Sequence, residues 1–242
     1  MQQPVTIVTG GSRGIGAAIC ERLAADGHHV VVGYRSNDSA AERVACAVRA
    51  AGRQGLTVRL DTVNEDDVDQ LFEMAAQLGS VTGLVNNAAV SGPNGRLADA
   101  DADGMRRALE VNVLGYLLCA RRAVRDMSRT GGGAIVNISS AAATIGSPGQ
   151  YVHYAATKAA VDAMTVGLAK ETAVNGIRVN CVAPGTVWTD FHADPQRPAK
   201  VAAGIPMGRA GRPTEIAGAV SWLLSDDAAY TTGAVLRIAG GL

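Results

Sequence analysis

The stretch YAATK, residues 154–158, places a phenol and an ammonium group four residues apart. Four residues make about one helical turn, so Tyr154 and Lys158 would share one face of a helix. A free tyrosine has a pKa of about 10 and is a poor base near neutrality, whereas a nearby cation favours its ionised form. The pair therefore predicts a proton-transferring tyrosine tuned by a lysine. The alternative is an incidental pair on an exposed helix.

A glycine-rich segment, VTGGSRGIG at 8–16, is the second feature that indicates chemistry. It follows an apolar run and opens a segment with helical spacing. Its glycines at 10, 14 and 16 have a wider first gap than the usual dinucleotide fingerprint. Glycines permit a tight turn and let the backbone approach a pyrophosphate, which the N-terminus of the helix attracts. We therefore predict a dinucleotide site, with a simple strand-to-helix turn as the alternative.

The end of the second apolar run, VVVGYRSND, bears on the choice of dinucleotide. A free ribose 2′-hydroxyl usually meets an acid at this point, and a 2′-phosphate meets an arginine. Arg35 stands there, Asp38 follows only after the turn begins, and Arg13 lies in the glycine-rich segment. Two guanidinium groups and no well-placed carboxylate predict NADP rather than NAD. The alternative for Arg35 is a solvated loop residue.

Short apolar and helical segments alternate along the chain and must position these groups. The apolar, β-branched runs lie at 5–10, 29–34, 56–60, 83–87, 134–139, 177–182 and 234–239. Segments with helical spacing lie at 14–26, 40–51, 64–78, 103–128, 151–174 and 214–225. This alternation predicts an α/β fold with a parallel sheet covered by helices on both faces. Without a linker or repeat, we expect one domain over 1–242. Asn64 is a predicted N-cap.

Residues 186–210 interrupt the alternation and combine prolines with Trp188, Phe191 and Met207. Either a flap over a pocket or an ordinary surface excursion would show this composition. Trp188 and Phe191 favour a partly apolar pocket.

The amino-acid composition indicates which kinds of partner and which cellular compartment to expect. The chain carries 22 basic and 22 acidic residues and no basic tract, so we expect no nucleic-acid partner. Its four cysteines, at 20, 46, 119 and 181, stand in apolar contexts, and we expect buried free thiols in a reducing compartment. No signal peptide or membrane-length apolar run is evident, which predicts a cytoplasmic protein without membrane contact. No histidine cluster indicates a metal site.

Several motifs occur together in a characteristic order. They are TGGSRGIG (9–16), NNAA (86–89), LEVNVLG around Asn112, VNISS (136–140), YAATK (154–158), VAPGTVWT (182–189) and the closing DDAAYTTGAVLRIAGG (226–241). Over essentially the whole chain they resemble the short-chain dehydrogenase/reductase family, including its 3-oxoacyl-thioester reductase-like and glucose dehydrogenase-like members. The resemblance implies a single Rossmann-like domain with a doubly wound, seven-stranded parallel sheet. It also implies a homotetramer, with a homodimer as the alternative.

The resemblance further implies catalytic roles. Tyr154 matches the acid/base, and Lys158 matches the lysine that lowers the tyrosine pKa and holds the nicotinamide ribose. Ser140 matches the serine that hydrogen-bonds the substrate oxygen, and Asn112 the asparagine that holds a water in a proton relay. We assign Ser140 rather than Ser139 because the family motif uses the last residue of its NISS element.

Three other side chains near the expected site are candidates for proton transfer. Tyr151 is a second candidate phenol, but it stands seven residues from Lys158, where direct contact is harder. His153 and His192 are interpreted as pocket wall or surface rather than as catalysts, because Tyr154 and Lys158 already provide acid–base function.

The resemblance also implies a set of positions that line the cofactor. They are Gly10, Ser12, Arg13, Gly14, Ile15, Gly16, Arg35, Ser36, Asp61, Thr62, Asn86, Asn87, Ala88, Ala89, Ile138, Tyr154, Lys158, Pro184, Gly185, Val187 and Thr189. The predicted function is NADP-dependent hydride transfer between nicotinamide and a small-molecule carbonyl or secondary alcohol. The substrate is left open between 3-oxoacyl thioesters, sugars, polyols and steroids. An alternative of another class is a non-catalytic, dinucleotide-binding redox sensor.

Overall fold

The computed structural model describes residues 3–191 and 194–242 of the chain. Its strands are β1 (Val5–Val8), β2 (His29–Tyr34), β3 (Gly55–Arg59), β4 (Val81–Asn86), β5 (Gly133–Ile138), β6 (Ile177–Pro184) and β7 (Val235–Ile238). They form one parallel sheet in the order β3-β2-β1-β4-β5-β6-β7. Both boundaries of each strand lie within two residues of the boundaries of the apolar run that predicts it. Near-continuous apolar runs mark these strands because helices cover both faces of a parallel sheet.

Nine α-helical segments occur in the described residues. They are α1 (Gly14–Ala25), α2 (Asp38–Ala50), α3 (Glu65–Ala76), α4 (Ala102–Leu109), α5 (Gly115–Thr130), α6 (Ala142–Ile145), α7 (Val152–Thr172), α8 (Arg197–Val201) and α9 (Pro213–Leu224). The short segments α6 and α8 had no sequence prediction. The predicted N-cap is confirmed, since the Asn64 side chain accepts the Asp66 N–H at 3.0 Å.

The helical segment predicted over 103–128 is helical throughout, but its middle has a wider turn that the sequence did not predict. A π-helical turn, Glu110–Leu114, separates α4 from α5. The Asn112 side chain in this turn exchanges two hydrogen bonds of 2.9 Å with the main chain of Val90. Such a wide turn inside a helical run often marks a functional position.

Two apolar layers flank the sheet and confirm the doubly wound α/β fold. On one face, Ile19 and Leu23 of α1 pack in a cluster with Val44 of α2 and Val220 of α9. The other face buries residues of α3, α5 and α7, Phe72 among them. The strand order reverses between β1 and β4. In such sheets, ligands bind outside the carboxyl ends of the strands at the reversal point.

The thiol prediction is right for three cysteines and wrong for the fourth. Cys20, Cys119 and Cys181 are buried, whereas Cys46 is exposed on α2. Within 3–191 and 194–242, no helix has both the length and the apolar character needed to cross a bilayer. The cytoplasmic location and the homotetramer stay predictions.

Candidate active site

A cleft of about 820 Å³ opens at the carboxyl ends of the strands. The cofactor positions predicted from sequence that line it are Gly10, Ser12, Arg13, Gly14, Ile15, Gly16, Arg35, Ser36, Asp61, Thr62, Asn87, Ala88, Ala89, Ile138, Tyr154, Lys158, Pro184, Gly185, Val187 and Thr189. Asn86 lies beneath the cleft, where its amide donates to Asn137 at 3.0 Å. Ser140 lines the cleft, and Asn112 lies behind its wall. The fold thus gathers the separate sequence motifs around one opening.

The glycine-rich turn forms the floor of the cleft at the start of α1. Gly10 and Gly14 have φ of 64° and 54°, a left-handed conformation that favours glycine. Arg13 occupies the N-cap of α1 without a side-chain hydrogen bond to the helix. The first N–H groups of α1 therefore have no capping side chain, and they carry the positive end of the helix dipole. This arrangement suits a phosphate group.

Gly16 is the position of the turn that tolerates a side chain least. A Cβ there would lie 2.3 Å from the carbonyl oxygen of Gly10 and 2.7 Å from Nδ2 of Asn87. Asn87 also fixes the turn, because its amide donates to the carbonyl oxygens of Thr9 and Gly10 at 2.9 and 3.1 Å. Both contacts would have to open to admit a methyl group.

We expect Gly16→Ala to weaken NADPH binding at least about 10-fold and to destabilise the fold by about 1–3 kcal/mol, the usual cost of overpacking. Fluorescence titration with NADPH and thermal unfolding measure the two effects. Gly167→Ala on α7 is the matched control, because a Cβ there meets nothing within 4 Å. It should bind normally and be slightly more stable, since alanine favours helix. Normal binding by Gly16→Ala would contradict the proposed role of the turn.

Positive charge exceeds negative charge at the end of the cleft beside β2. Arg107 Nη2 lies 2.6 Å from Oδ2 of Asp61, and Arg35 Nε lies 3.6 Å from the same oxygen. Arg107 also pairs with Glu110 at 3.5 Å, but Glu110 does not line the cleft, so within the lining two guanidinium groups share the carboxylate of Asp61. Asp38 is hydrogen-bonded to Tyr34 and does not line the cleft.

Described residues of the segment 186–210, Phe191 and Arg197 among them, line the cleft, which favours the flap interpretation over an ordinary surface excursion. The Phe191 ring centre lies 6.0 Å from that of Tyr154. Arg13 pairs with Asp190 of this segment at 2.9 Å, and both side chains are more than half exposed. The prediction that Trp188 forms the pocket is wrong, because its half-exposed side chain lies outside the lining.

Tyr154 and Lys158 both face the cleft from α7, as their spacing predicts. Lys158 is 1% exposed, and its Nζ donates to the carbonyl oxygen of Ile138 at 2.7 Å and to the Tyr116 hydroxyl at 3.3 Å. The same Nζ lies 5.7 Å from the centre of the Tyr154 ring. Burial lowers the pKa of Lys158 to about 8. The ammonium group is thus held by β5 and α5 beneath the Tyr154 ring.

The pKa of Tyr154 differs from the sequence expectation. Burial raises it to about 12, and a hydrogen bond with the Ser140 side chain opposes this rise. We expected Lys158 to lower this pKa. However, its Nζ is drawn to the Ile138 carbonyl and lies over the face of the ring. A phenol with a raised pKa keeps its proton near neutrality, and it can then donate that proton.

The two neighbouring serines have different surroundings. The Ser139 hydroxyl donates to the main-chain oxygen of Lys158 at 3.1 Å and is buried. Ser140 accepts the Ala142 N–H at 3.1 Å and hydrogen-bonds Tyr154. Its contact with Tyr154 supports the assignment made from the motif. Tyr151 also lines the cleft, with its ring centre 6.4 Å from that of Tyr154.

The Asn112 side chain lies behind the cleft wall and hydrogen-bonds two elements. Besides its two bonds to Val90, its amide donates to the Thr157 hydroxyl at 3.1 Å, so both N–H groups are engaged. These bonds tie the loop after β4 to α7. His153 contacts the Ser91 carbonyl oxygen at 2.9 Å and is not among the residues that line the cleft. His192 lies outside the described residues.

Sequence reasoning missed three polar residues of the site. Tyr116 stands one turn beyond Asn112, and that spacing was the available signal. Arg107 and Arg197 gave no local signal, although Arg197 falls inside the interrupted segment 186–210. Each of the three contacts a residue that is distant in sequence. Tyr116 contacts Lys158, Arg107 contacts Asp61, and Arg197 contacts Tyr151.

Comparisons with known proteins agree with this geometry. The family model described as Enoyl-(Acyl carrier protein) reductase matches residues 10–242. The uncharacterized oxidoreductase YgfF of Escherichia coli (strain K12) is 43% identical over 98% of this chain and 99% of its own length. A blue fluorescent protein from a metagenomic library, solved in complex with NADPH, is 37% identical and has a TM-score of 0.92, covering 98% of this chain and 97% of its own.

A short-chain type dehydrogenase/reductase from Mycobacterium marinum is 33% identical and has a TM-score of 0.93, covering 98% of this chain and 94% of its own. The similarity in sequence and in structure therefore spans the glycine-rich turn, the cleft and the closing strand together. This chain belongs to the short-chain dehydrogenase/reductase family of oxidoreductases.

Proposed function

We propose that the protein is an NADP(H)-dependent oxidoreductase that interconverts a carbonyl compound and a secondary alcohol, with Tyr154 as acid and base. One observation carries the proposal. The Tyr154 phenol, hydrogen-bonded to Ser140 and lying above the Lys158 ammonium group, opens into the same cleft as the glycine-rich turn. A protein that only bound dinucleotides would have no use for a paired phenol and cation at this point.

The cleft fits an anionic dinucleotide. Among the described residues, the charged side chains that line it are five cations and two carboxylates, namely Arg13, Arg35, Arg107, Lys158 and Arg197 against Asp61 and Asp190. The glycine-rich turn would hold the pyrophosphate, Arg35 and Ser36 the adenosine end, and Lys158 the nicotinamide ribose. When bound, the cofactor supplies or accepts the hydride.

The residues of this chain handle the proton and the charge. In reduction, Tyr154 donates its proton to the carbonyl oxygen as that oxygen gains negative charge. The Ser140 hydroxyl donates a second hydrogen bond to the same oxygen and stabilises the charge. The positive charge of Lys158 lies beneath the ring on which the phenolate forms, with its Nζ 5.7 Å from the ring centre. In oxidation, the phenolate accepts the proton of the alcohol instead.

The cofactor preference depends on Arg35. We expect Arg35→Ala to reduce kcat/KM for NADPH by about 10- to 100-fold, because a hydrogen bond to a charged group contributes about 1.5–3 kcal/mol. NADH lacks the 2′-phosphate, so its kcat/KM should change less than about threefold and serves as the internal control. Steady-state kinetics with both cofactors measure the difference. A wild-type preference for NADH would contradict the proposed specificity.

A screen of ketones and aldehydes with NADPH and NADH in parallel tests the reaction class. We expect NADPH oxidation with activated ketones and formation of the matching alcohol, detected by chromatography. Binding of NADPH without turnover on any carbonyl compound, and without oxidation of any alcohol by NADP⁺, would contradict the proposed function.

A further inference from the structure

Four arginines line the cleft, and one of them differs from the others. They are Arg13, Arg35, Arg107 and Arg197. The first three form ion pairs with Asp190 or Asp61. Among residues 3–191 and 194–242, Arg197 has no carboxylate within 4.0 Å. Asp194 has a charge interaction with Arg197, but its carboxylate accepts hydrogen bonds from Lys200 Nζ at 2.7 Å and from the Gln196 N–H at 2.9 Å.

Arg197 lies at the reacting end of the cleft. Its Cζ is 5.7 Å from the centre of the Tyr151 ring, and that ring meets the Tyr154 ring edge-on at 6.4 Å. The cluster at the β2 end, where Arg35 and Arg107 share Asp61, is separate from it. Arg197 is therefore placed to meet the substrate rather than the adenosine end of a dinucleotide.

The contact with Tyr151 places the guanidinium carbon over an aromatic ring, an arrangement that attracts the cation. The guanidinium group carries five N–H donors along its planar edges. Those edges match the two oxygens of a carboxylate and can bind them together. The polar lining residues just before Tyr151 in sequence, Ser147 and Gln150, are neutral. Asp190, the acid of the segment 186–210 that lines the cleft, is paired with Arg13. A single cation there balances one negative charge, which favours a carboxylate over a doubly charged phosphate.

We infer that Arg197, supported by Tyr151, forms a subsite for a substrate carboxylate, so the substrates are oxo acids and the corresponding hydroxy acids. This inference rests on the proposed carbonyl–alcohol chemistry. It adds the class of substrate: the carbonyl carbon faces Tyr154, and a carboxylate several bonds away meets Arg197.

Matched acids and esters test the subsite. NADPH-dependent reduction of 4-oxopentanoate and 5-oxohexanoate is compared with that of their methyl esters, in wild type, Arg197→Gln and Arg197→Lys. We expect wild type to prefer the acids. Arg197→Gln should lose about 10- to 100-fold in kcat/KM for the acids, mainly through KM, and less than about twofold for the esters. Arg197→Lys should recover part of the loss, because it keeps the charge without the planar fork.

Arg125→Gln is the matched control, because Arg125 is exposed on α5 away from the cleft. It should keep the wild-type preference for acids. Dihydroxyacetone phosphate and dihydroxyacetone form a second pair. If Arg197→Gln affected only the phosphate ester, the subsite would bind phosphate, and the carboxylate assignment would be overturned.

Calorimetric binding of 5-oxohexanoate to the NADP⁺ complex gives a readout without turnover. We expect binding by wild type and a loss of at least about 10-fold in Arg197→Gln. The protein could reduce neutral ketones and also act on acids and esters at equal rates in every variant. That result would contradict the carboxylate subsite and would still agree with the proposed function. Absence of turnover on all carbonyls overturns the proposed function, and the binding comparison then still decides on the subsite.

Discussion

Replacing Tyr154 with phenylalanine should lower kcat for ketone reduction by about 10²–10⁴, the usual contribution of a positioned acid or base. The substitution removes only the hydroxyl that hydrogen-bonds Ser140 and leaves the ring that lies 6.0 Å from Phe191. The aromatic ring stays in the cleft lining and only its hydroxyl is lost, so we expect the Kd for NADPH to stay within about threefold. Stopped-flow reduction and fluorescence titration separate the two quantities.

Tyr230→Phe is the matched control, because Tyr230 is fully exposed and outside the cleft. It should retain wild-type kcat. If Tyr154→Phe kept more than about a third of wild-type kcat, another group would be the acid, and Tyr151 would be the next candidate to test. A wild-type protein that bound NADPH without turnover would instead favour the redox-sensor alternative.

The sequence predicts strands and local pairs well because these depend on neighbouring residues. Runs such as HVVVGY are apolar almost throughout because helices cover both faces of the sheet, and β2 occupies the predicted residues 29–34. Likewise, the spacing of Tyr154 and Lys158 suffices to place them on one side of α7. The sequence pattern therefore predicts a residue's place correctly where that place depends on one strand or one helix alone.

Features set by contacts between distant elements are not predictable in this way. The π-helical turn Glu110–Leu114 continues an ordinary helical pattern, and its Asn112 bonds to Val90, 22 residues earlier. The pKa of Tyr154 is raised because the fold buries its phenol, while the Nζ of Lys158 donates to Ile138 of another element. A motif identifies which groups meet, whereas the fold decides which atoms they contact.

Replacing Lys158 with methionine should lower kcat/KM by about 10²–10³, as expected when a preorganised charge is removed from a site. The same change should raise Tm at about pH 7. Lys158 is buried, and burial alone lowers the pKa of its ammonium group to about 8. Methionine has a similar length without the charge, and replacing a buried charge by a matched apolar side chain is often stabilising. The Ile138 carbonyl would still accept the Tyr116 hydroxyl at 3.0 Å.

The gain in Tm should depend on pH with a defined sign. The pKa of Lys158 is about 8 in the folded protein against 10.5 for a free lysine, so between these values the unfolded chain binds more protons. Wild-type stability from this group therefore rises across that window, and the advantage of Lys158→Met should shrink between about pH 8 and about pH 10. Thermal unfolding across this range measures it, with Lys170→Met on the exposed face of α7 as the flat control. A variant less stable than wild type at pH 7 would show that the bonds of Nζ to Ile138 and Tyr116 outweigh the cost of burying its charge.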